Sequence, residues 1–234
     1  MLTLIYSMLT RLRSAILLTF TMSALNVSAL VVPFTEEFSA GNANWTTGNT
    51  NVVAGWSATG GVLDGAFISS SGIVNTAGFG TIVFRGNASA DASGDAFVGD
   101  WLSGGVSAFS AFVRHDAGQP LNLYARLDAG AGRAGSSVDF SVPSGTWFQL
   151  NVPIIDSPSS FQSYGAGTFA TVFSGIQNVQ ISVSALQDPG LNGQTVNVDL
   201  ANVATVPEPA TWLLVLMALT LLGCRAARRR SAIR

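Results

Sequence analysis

Between Leu30 and Thr205, apolar and polar side chains alternate with a period of two in several short runs. That period marks a strand with one buried face and one wet face. In Ser107–His115, Phe109, Ala111 and Val113 share a face. In Leu121–Asp128, Leu121, Leu123, Ala125 and Leu127 point one way, and Asn122, Tyr124, Arg126 and Asp128 the other. Trp147–Ile154 sets Phe148, Leu150, Val152 and Ile154 inward, with Trp147, Gln149 and Asn151 outward. Val179, Ile181, Val183 and Ala185 form a further inner face, as do Val196, Val198 and Leu200. Ile82 and Phe84 mark an earlier strand. No stretch of this region carries the period of an amphipathic helix. Turn clusters such as Gly60-Gly61, Gly104-Gly105 and Asn192-Gly193 separate the runs, and all but one of the 25 glycines lie here. The pattern predicts an all-β fold, a β-sandwich.

The two ends read differently. At the N-terminus, Arg11 and Arg13 precede a mostly apolar stretch, Ser14–Leu25, of signal-peptide length. Val27-Ser28-Ala29 supplies small residues for a signal peptidase, which predicts a signal peptide over 1–29 cut after Ala29. The chain starts at Met1 or at Met8, the latter giving a more usual signal length. At the C-terminus, Val206-Pro207-Glu208-Pro209 leads into an apolar run, 210–224, and then a basic end, 225–234. The run has no polar face, so it predicts a single transmembrane helix. Fifteen residues at about 1.5 Å each reach roughly 22 Å, a thin span against about 30 Å of hydrocarbon. Arg225, Arg228, Arg229 and Arg230 form the membrane stop and set the C-terminus in the cytoplasm. Pro207 and Pro209 fix two φ angles and remove two donors, so the motif reads as extended and open to a protease. Cys224 is the only cysteine, which excludes an internal disulfide.

Separating the ends changes the charge. Residues 30–205 hold four arginines, no lysine and twelve carboxylates, a formal charge of −8 that the terminal arginines mask in the whole-chain value. That sign argues against nucleic acid as a partner and is compatible with neutral polysaccharide or cations.

The order motif, apolar helix, basic stop resembles the PEP-CTERM sorting signal of Gram-negative bacteria. The resemblance covers residues 206–234 and implies export through the Sec translocon, transient anchoring in the inner membrane and processing by an exosortase. The protein would then reach the cell surface or the extracellular matrix.

The extracellular region, 30–205, resembles jelly-roll modules related to carbohydrate-binding and laminin-type domains. The residues that carry this are Phe38–Trp45, Gly55–Gly61, Thr146–Pro153 and the closing Val196–Val203. The resemblance implies a jelly-roll-like β-sandwich. In such modules an acidic residue of the closing strand often lies near a structural calcium; here Asp199 precedes Leu200.

Candidate chemistry is sparse. His115 is the only histidine, so any histidine-based triad must use it, and no G-x-S-x-G elbow is present. One histidine and no cysteine in this region argue against zinc. Asp91, Asp95 and Asp100 group oxygen ligands around glycine and are candidates for structural calcium. Glu36, Asn42, Asn44 and Asp199 form a second candidate set. The sharper expectation is sugar binding. If their strands neighbour each other in one sheet, Tyr124, Arg126 and Asp128 would lie beside Trp147, Gln149 and Asn151, a polar face with aromatic platforms. The expected protein is non-catalytic and associated with exopolysaccharide. The alternatives are a polysaccharide hydrolase, which needs two carboxylates across a cleft, and a purely structural matrix protein.

Overall fold

The computed structural model describes residues 30–48, 52–76 and 80–208. The expected signal peptide and the apolar run 210–224 lie outside these residues. Among the described residues, no helix is long and apolar enough to cross a membrane.

Among the described residues, fourteen strands follow one another: β1 (Phe34–Glu36), β2 (Thr46–Thr47), β3 (Val52–Val53), β4 (Gly55–Ser57), β5 (Phe67–Ile73), β6 (Ile82–Asn87), β7 (Val106–His115), β8 (Leu121–Asp128), β9 (Arg133–Ser137), β10 (Phe140–Val142), β11 (Phe148–Pro153), β12 (Phe161–Gly165), β13 (Asn178–Val183) and β14 (Thr195–Pro207). They form two antiparallel sheets. The first has six strands in the order β11-β7-β14-β5-β4, with β1 also paired to β14. The second has eight, β12-β9-β8-β13-β6-β2-β3, with β10 also paired to β8. The chain is an all-β sandwich.

The alternation read from the sequence orients these strands. β8 has Leu121, Leu123, Ala125 and Leu127 buried between half-exposed polar residues. Leu150 and Val152 of β11, Val179 and Ile181 of β13, and Val196, Val198 and Leu200 of β14 join the same core. One end of the core is aromatic. Trp45 and Trp101 are fully buried. Phe38 meets Trp45 edge-on at 5.9 Å, Trp45 meets Phe97 at 5.9 Å, and Phe97 meets Phe109 at 6.4 Å. Such pairs add about 0.5–1.5 kcal/mol each beyond their buried area. Gly86 lets Trp45 lie against β6, since a Cβ there would stand 2.8 Å from the indole.

Three expectations need correction. A short helix, α1 (Phe169–Phe173), occurs where none was expected; Thr168 and Thr171 form its capping box. Its Val172 and Phe173 are buried, with Phe173 against Phe161 at 4.8 Å. Five residues are too few to display a helical period. Ala185 lies beyond the end of β13 and is only half-buried. The last strand, β14, also runs past the closing segment Val196–Val203 read from the sequence. Val206 pairs with Ala108 and Pro207 with Val106, so the sorting motif begins inside the sandwich.

Candidate functional site

The outer face of the second sheet holds a groove of about 780 Å³. Its floor starts from β8, whose alternation turns Tyr124 and Arg126 outward. Ser136 of β9 and Gln162 and Tyr164 of β12 extend it to one side. Val138, Asp139 and the segment Ser184–Leu186 form the far wall.

Each part is held by local bonds. Asp128 Oδ1 accepts from Gly130 N at 2.7 Å, closing the β8–β9 turn, where Gly130 has φ +71° and Gly132 φ +73°. Glycine adopts such angles at no steric cost. Asp128 Oδ2 accepts from Arg126 Nη2 at 3.0 Å. Arg126 also lies over the Tyr164 ring, 5.7 Å from its centroid. Burial pushes the Tyr164 phenol above its ordinary pKa, with Arg126 pulling the other way. The phenol therefore stays protonated, and can donate, at any physiological pH. The wall is tied down by Gln187. Its Oε1 accepts from Asn122 N at 2.9 Å and its Nε2 donates to Asn122 O at 2.6 Å. Asn122 Nδ2 donates to Leu186 O at 2.6 Å, and Ser184 Oγ donates to Asp139 at 2.6 Å. Gln187 thus continues the bonding of β8 just beyond the end of β13, and sets Leu186, 76 % exposed, at the rim.

The two triplets read from the sequence do not meet. Tyr124, Arg126 and Asp128 are on β8 in the second sheet. Trp147 precedes β11, and Gln149 and Asn151 lie on it, in the first sheet. The condition that their strands be neighbours fails, because parity fixes a face within one strand and says nothing about which sheet the strand joins. Trp147 instead covers Arg114, whose guanidinium carbon is 4.6 Å from the indole centroid and 5.3 Å from that of Phe67. Arg114 also donates twice to Asp199 Oδ2, at 2.9 and 2.7 Å. Gln149 and Asn151 are exposed on the edge strand. Within the groove, Gln162 and Tyr164 escaped the sequence reading. Their strand, Phe-Gln-Ser-Tyr-Gly, has a single buried residue and no apolar alternation to find it by.

The candidate calcium residues have these placements. Asp100 is committed to its own turn, accepting from Ser103 N at 2.9 Å and from Ser103 Oγ at 2.7 Å. Burial, then the neighbouring Asp91, raises the pKa of Asp95. Among the described residues, no three His, Cys, Asp or Glu side chains gather as a metal group. Asp199 pairs with Arg114, whereas Glu36 and Asn44 line a separate cavity of about 300 Å³ with Asp91 and Ser93. His115 is buried and structural in its contacts. Its Nε2 lies 2.9 Å from Val142 O, and its Nδ1 accepts from Ala117 N at 3.2 Å.

Residues 205–230 match the family model of the PEP-CTERM protein-sorting motif. The chain carries this sorting signal. The match covers the tail alone and implies an exported protein that transits the membrane and is handled by an exosortase. No curated protein matches the chain in sequence. Among solved structures, the chain is similar to the family 11 carbohydrate-binding module of a cellulosomal cellulase of Clostridium thermocellum, at 15 % identity and TM-score 0.47, covering 76 % of this chain and 96 % of the module. It is also similar to part of an exo-beta-agarase, at 13 % identity and TM-score 0.48, covering 74 % of this chain and 24 % of the agarase. A third is the xylanase 10B fragment of the same Clostridium with its CBM22-1 and GH10 modules, at 12 % identity and TM-score 0.46, covering 75 % of this chain and 28 % of that one. The chain therefore spans about a quarter of the length of the agarase and the xylanase.

Proposed function

We propose that this is an exported, non-catalytic glycan-holding protein that binds polysaccharide in the groove of the second sheet. In transit its tail anchors it in the inner membrane with the C-terminus cytoplasmic. After exosortase processing it works at the cell surface or in the extracellular matrix. The observation that carries this reading is the pairing of Tyr124 and Tyr164 with Arg126 in one groove of about 780 Å³. Aromatic rings offer apolar surface to the faces of pyranose rings, while a few fixed polar groups take hydroxyls. Gln162, Ser136 and Asp139 supply such groups at the rim. Asp139 is the single carboxylate among the described lining residues, whereas glycoside hydrolysis uses two, so retention is favoured over cleavage.

The test is affinity electrophoresis of the full-length protein, in detergent, through gels containing soluble polysaccharides. Retardation by at least one polymer, lost in Tyr124→Ala and Tyr164→Ala, is the expected result. Migration unaffected by every polymer would remove the glycan role and leave a structural matrix protein.

A further inference from the structure

The groove floor is part of a register row that crosses the second sheet. Thr46, Arg85, Gln180, Arg126, Ser136 and Gln162 are successive cross-strand partners on β2, β6, β13, β8, β9 and β12. Two of the four arginines between Leu30 and Thr205 stand on this row, separated by one strand, in a region of charge −8 that has no lysine. Burial, then Arg126, lowers the pKa of Arg85, and Asp128 is the carboxylate that acts in the opposite sense. Asp128 is already shared between Arg126 and the Gly130 turn.

The row also holds unspent hydrogen-bonding capacity. Gln180, between the two arginines, is 1 % exposed, and Ser182, two residues along β13, is 0 % exposed. Gln180 Oε1, Ser182 Oγ and Arg126 Nε are buried without a protein partner. Buried polar atoms are ordinarily paired, so these unpaired ones beside Arg126 mark a row whose polar capacity the fold itself does not use. Arginine suits a carboxylate, because its planar fork offers five donors and Arg126 gives only one to Asp128.

We propose that the polysaccharide is acidic: a sugar carboxylate engages Arg126 in the groove, and Arg85 adds attraction through charge. This rests on the glycan-holding reading above. A sulfate ester offers the same anionic chemistry, and the test separates the two sources.

Full-length protein in detergent is titrated with polygalacturonate, with the same polymer fully methyl-esterified, with dextran and with dextran sulfate. Binding to polygalacturonate that is lost on esterification is the expected result. Binding to dextran sulfate alone would keep the anionic site and assign it to sulfate. Equal binding to the methyl ester or to dextran overturns the acidic inference while the glycan reading stands. Binding to none of the four overturns both. Arg126→Gln should weaken polygalacturonate binding about tenfold or more, the worth of a charge-assisted hydrogen bond. Arg85→Gln should weaken it by a smaller factor that vanishes between about 0.1 and about 0.5 M salt, as a screened charge effect must. Should Arg126→Gln fail to fold, the salt dependence and Arg85→Gln carry the test. Unchanged affinity in a folded Arg126→Gln protein refutes the assignment.

Discussion

The hydroxyl of Ser107 donates to the carbonyl of Pro207 at 2.9 Å, and reaches that of Val206 at 3.2 Å. Glu208 N adds a bond to Gly105 O at 2.9 Å. The first residues of the sorting motif are therefore stitched to the start of β7. A protease that reads the motif in extended form must first peel this end away. Ser107→Ala should speed tail processing in a host with the matching exosortase, followed by pulse-chase and immunoblot. Replacing Pro207, Glu208 and Pro209 with alanine should leave an unprocessed membrane form; normal processing of that variant would discard the sorting role of the motif.

Gln187 is the side chain that holds the groove wall, through two bonds to the Asn122 backbone and one to Ser184 O at 3.0 Å. Gln187→Ala leaves the Asn122 N–H and C=O without these partners. We expect a loss of about 1–3 kcal/mol in stability, read by urea unfolding, together with weaker polysaccharide retention.

Trp147 should separate stability from binding. It covers the Arg114–Asp199 pair on the sheet opposite the groove, so Trp147→Ala should lower the melting temperature and leave glycan affinity unchanged. Loss of affinity in a folded Trp147→Ala protein would move the binding face to the first sheet.

Gly86→Ala would push a methyl against the buried Trp45 indole, which is itself held by Nε1 donating to Ser93 Oγ at 2.8 Å. With little room to shift, overpacking should cost about 1–3 kcal/mol. A melt unchanged from the parent would show that Trp45 can move.

Acid should destabilise the fold through Asp100 and Asp116. Hydrogen bonds from Ser103 lower the Asp100 pKa. For Asp116 burial acts upward, but bonds from Asn197 N at 2.8 Å and Asn197 Nδ2 at 2.6 Å win, and its pKa is lowered. A folded pKa below the unfolded 3.8 means stability is fully present above that value and lost as pH falls through the folded pKa. Asp95 has the opposite sign: its raised pKa gives stability below 3.8 that is lost as pH rises. Asp116→Asn should flatten part of the acid decline in melting temperature, and Asp95→Asn should raise the melting temperature near neutral pH without raising it in acid.

The limits of sequence reading show in particular residues. Tyr124 and Arg126 were legible as outward-facing because β8 alternates without a break. Tyr164 was not, because β12 is an exposed edge strand whose sequence lacks an apolar face. Gln180 and Ser182 sit on an outward parity that reads as wet, yet both are buried. Their burial depends on what lies on either side of β13, and no local pattern reports it. Trp147 looked like a platform because its parity matched Gln149 and Asn151, and it proved to be the cover of an arginine contributed by another strand.

By itself, the sequence determined the strand faces, the all-β class and the sorting tail. Each depends on local periodicity or on a contiguous motif, which neighbouring residues encode directly. Only the tertiary structure decided that β8 and β11 belong to different sheets, that Arg85, Gln180 and Arg126 share a row, and that the sorting motif begins inside β14. Those relations depend on pairing between segments distant in the chain. That pairing is chosen by how all the strands bury their apolar faces together, so no single stretch of sequence contains it.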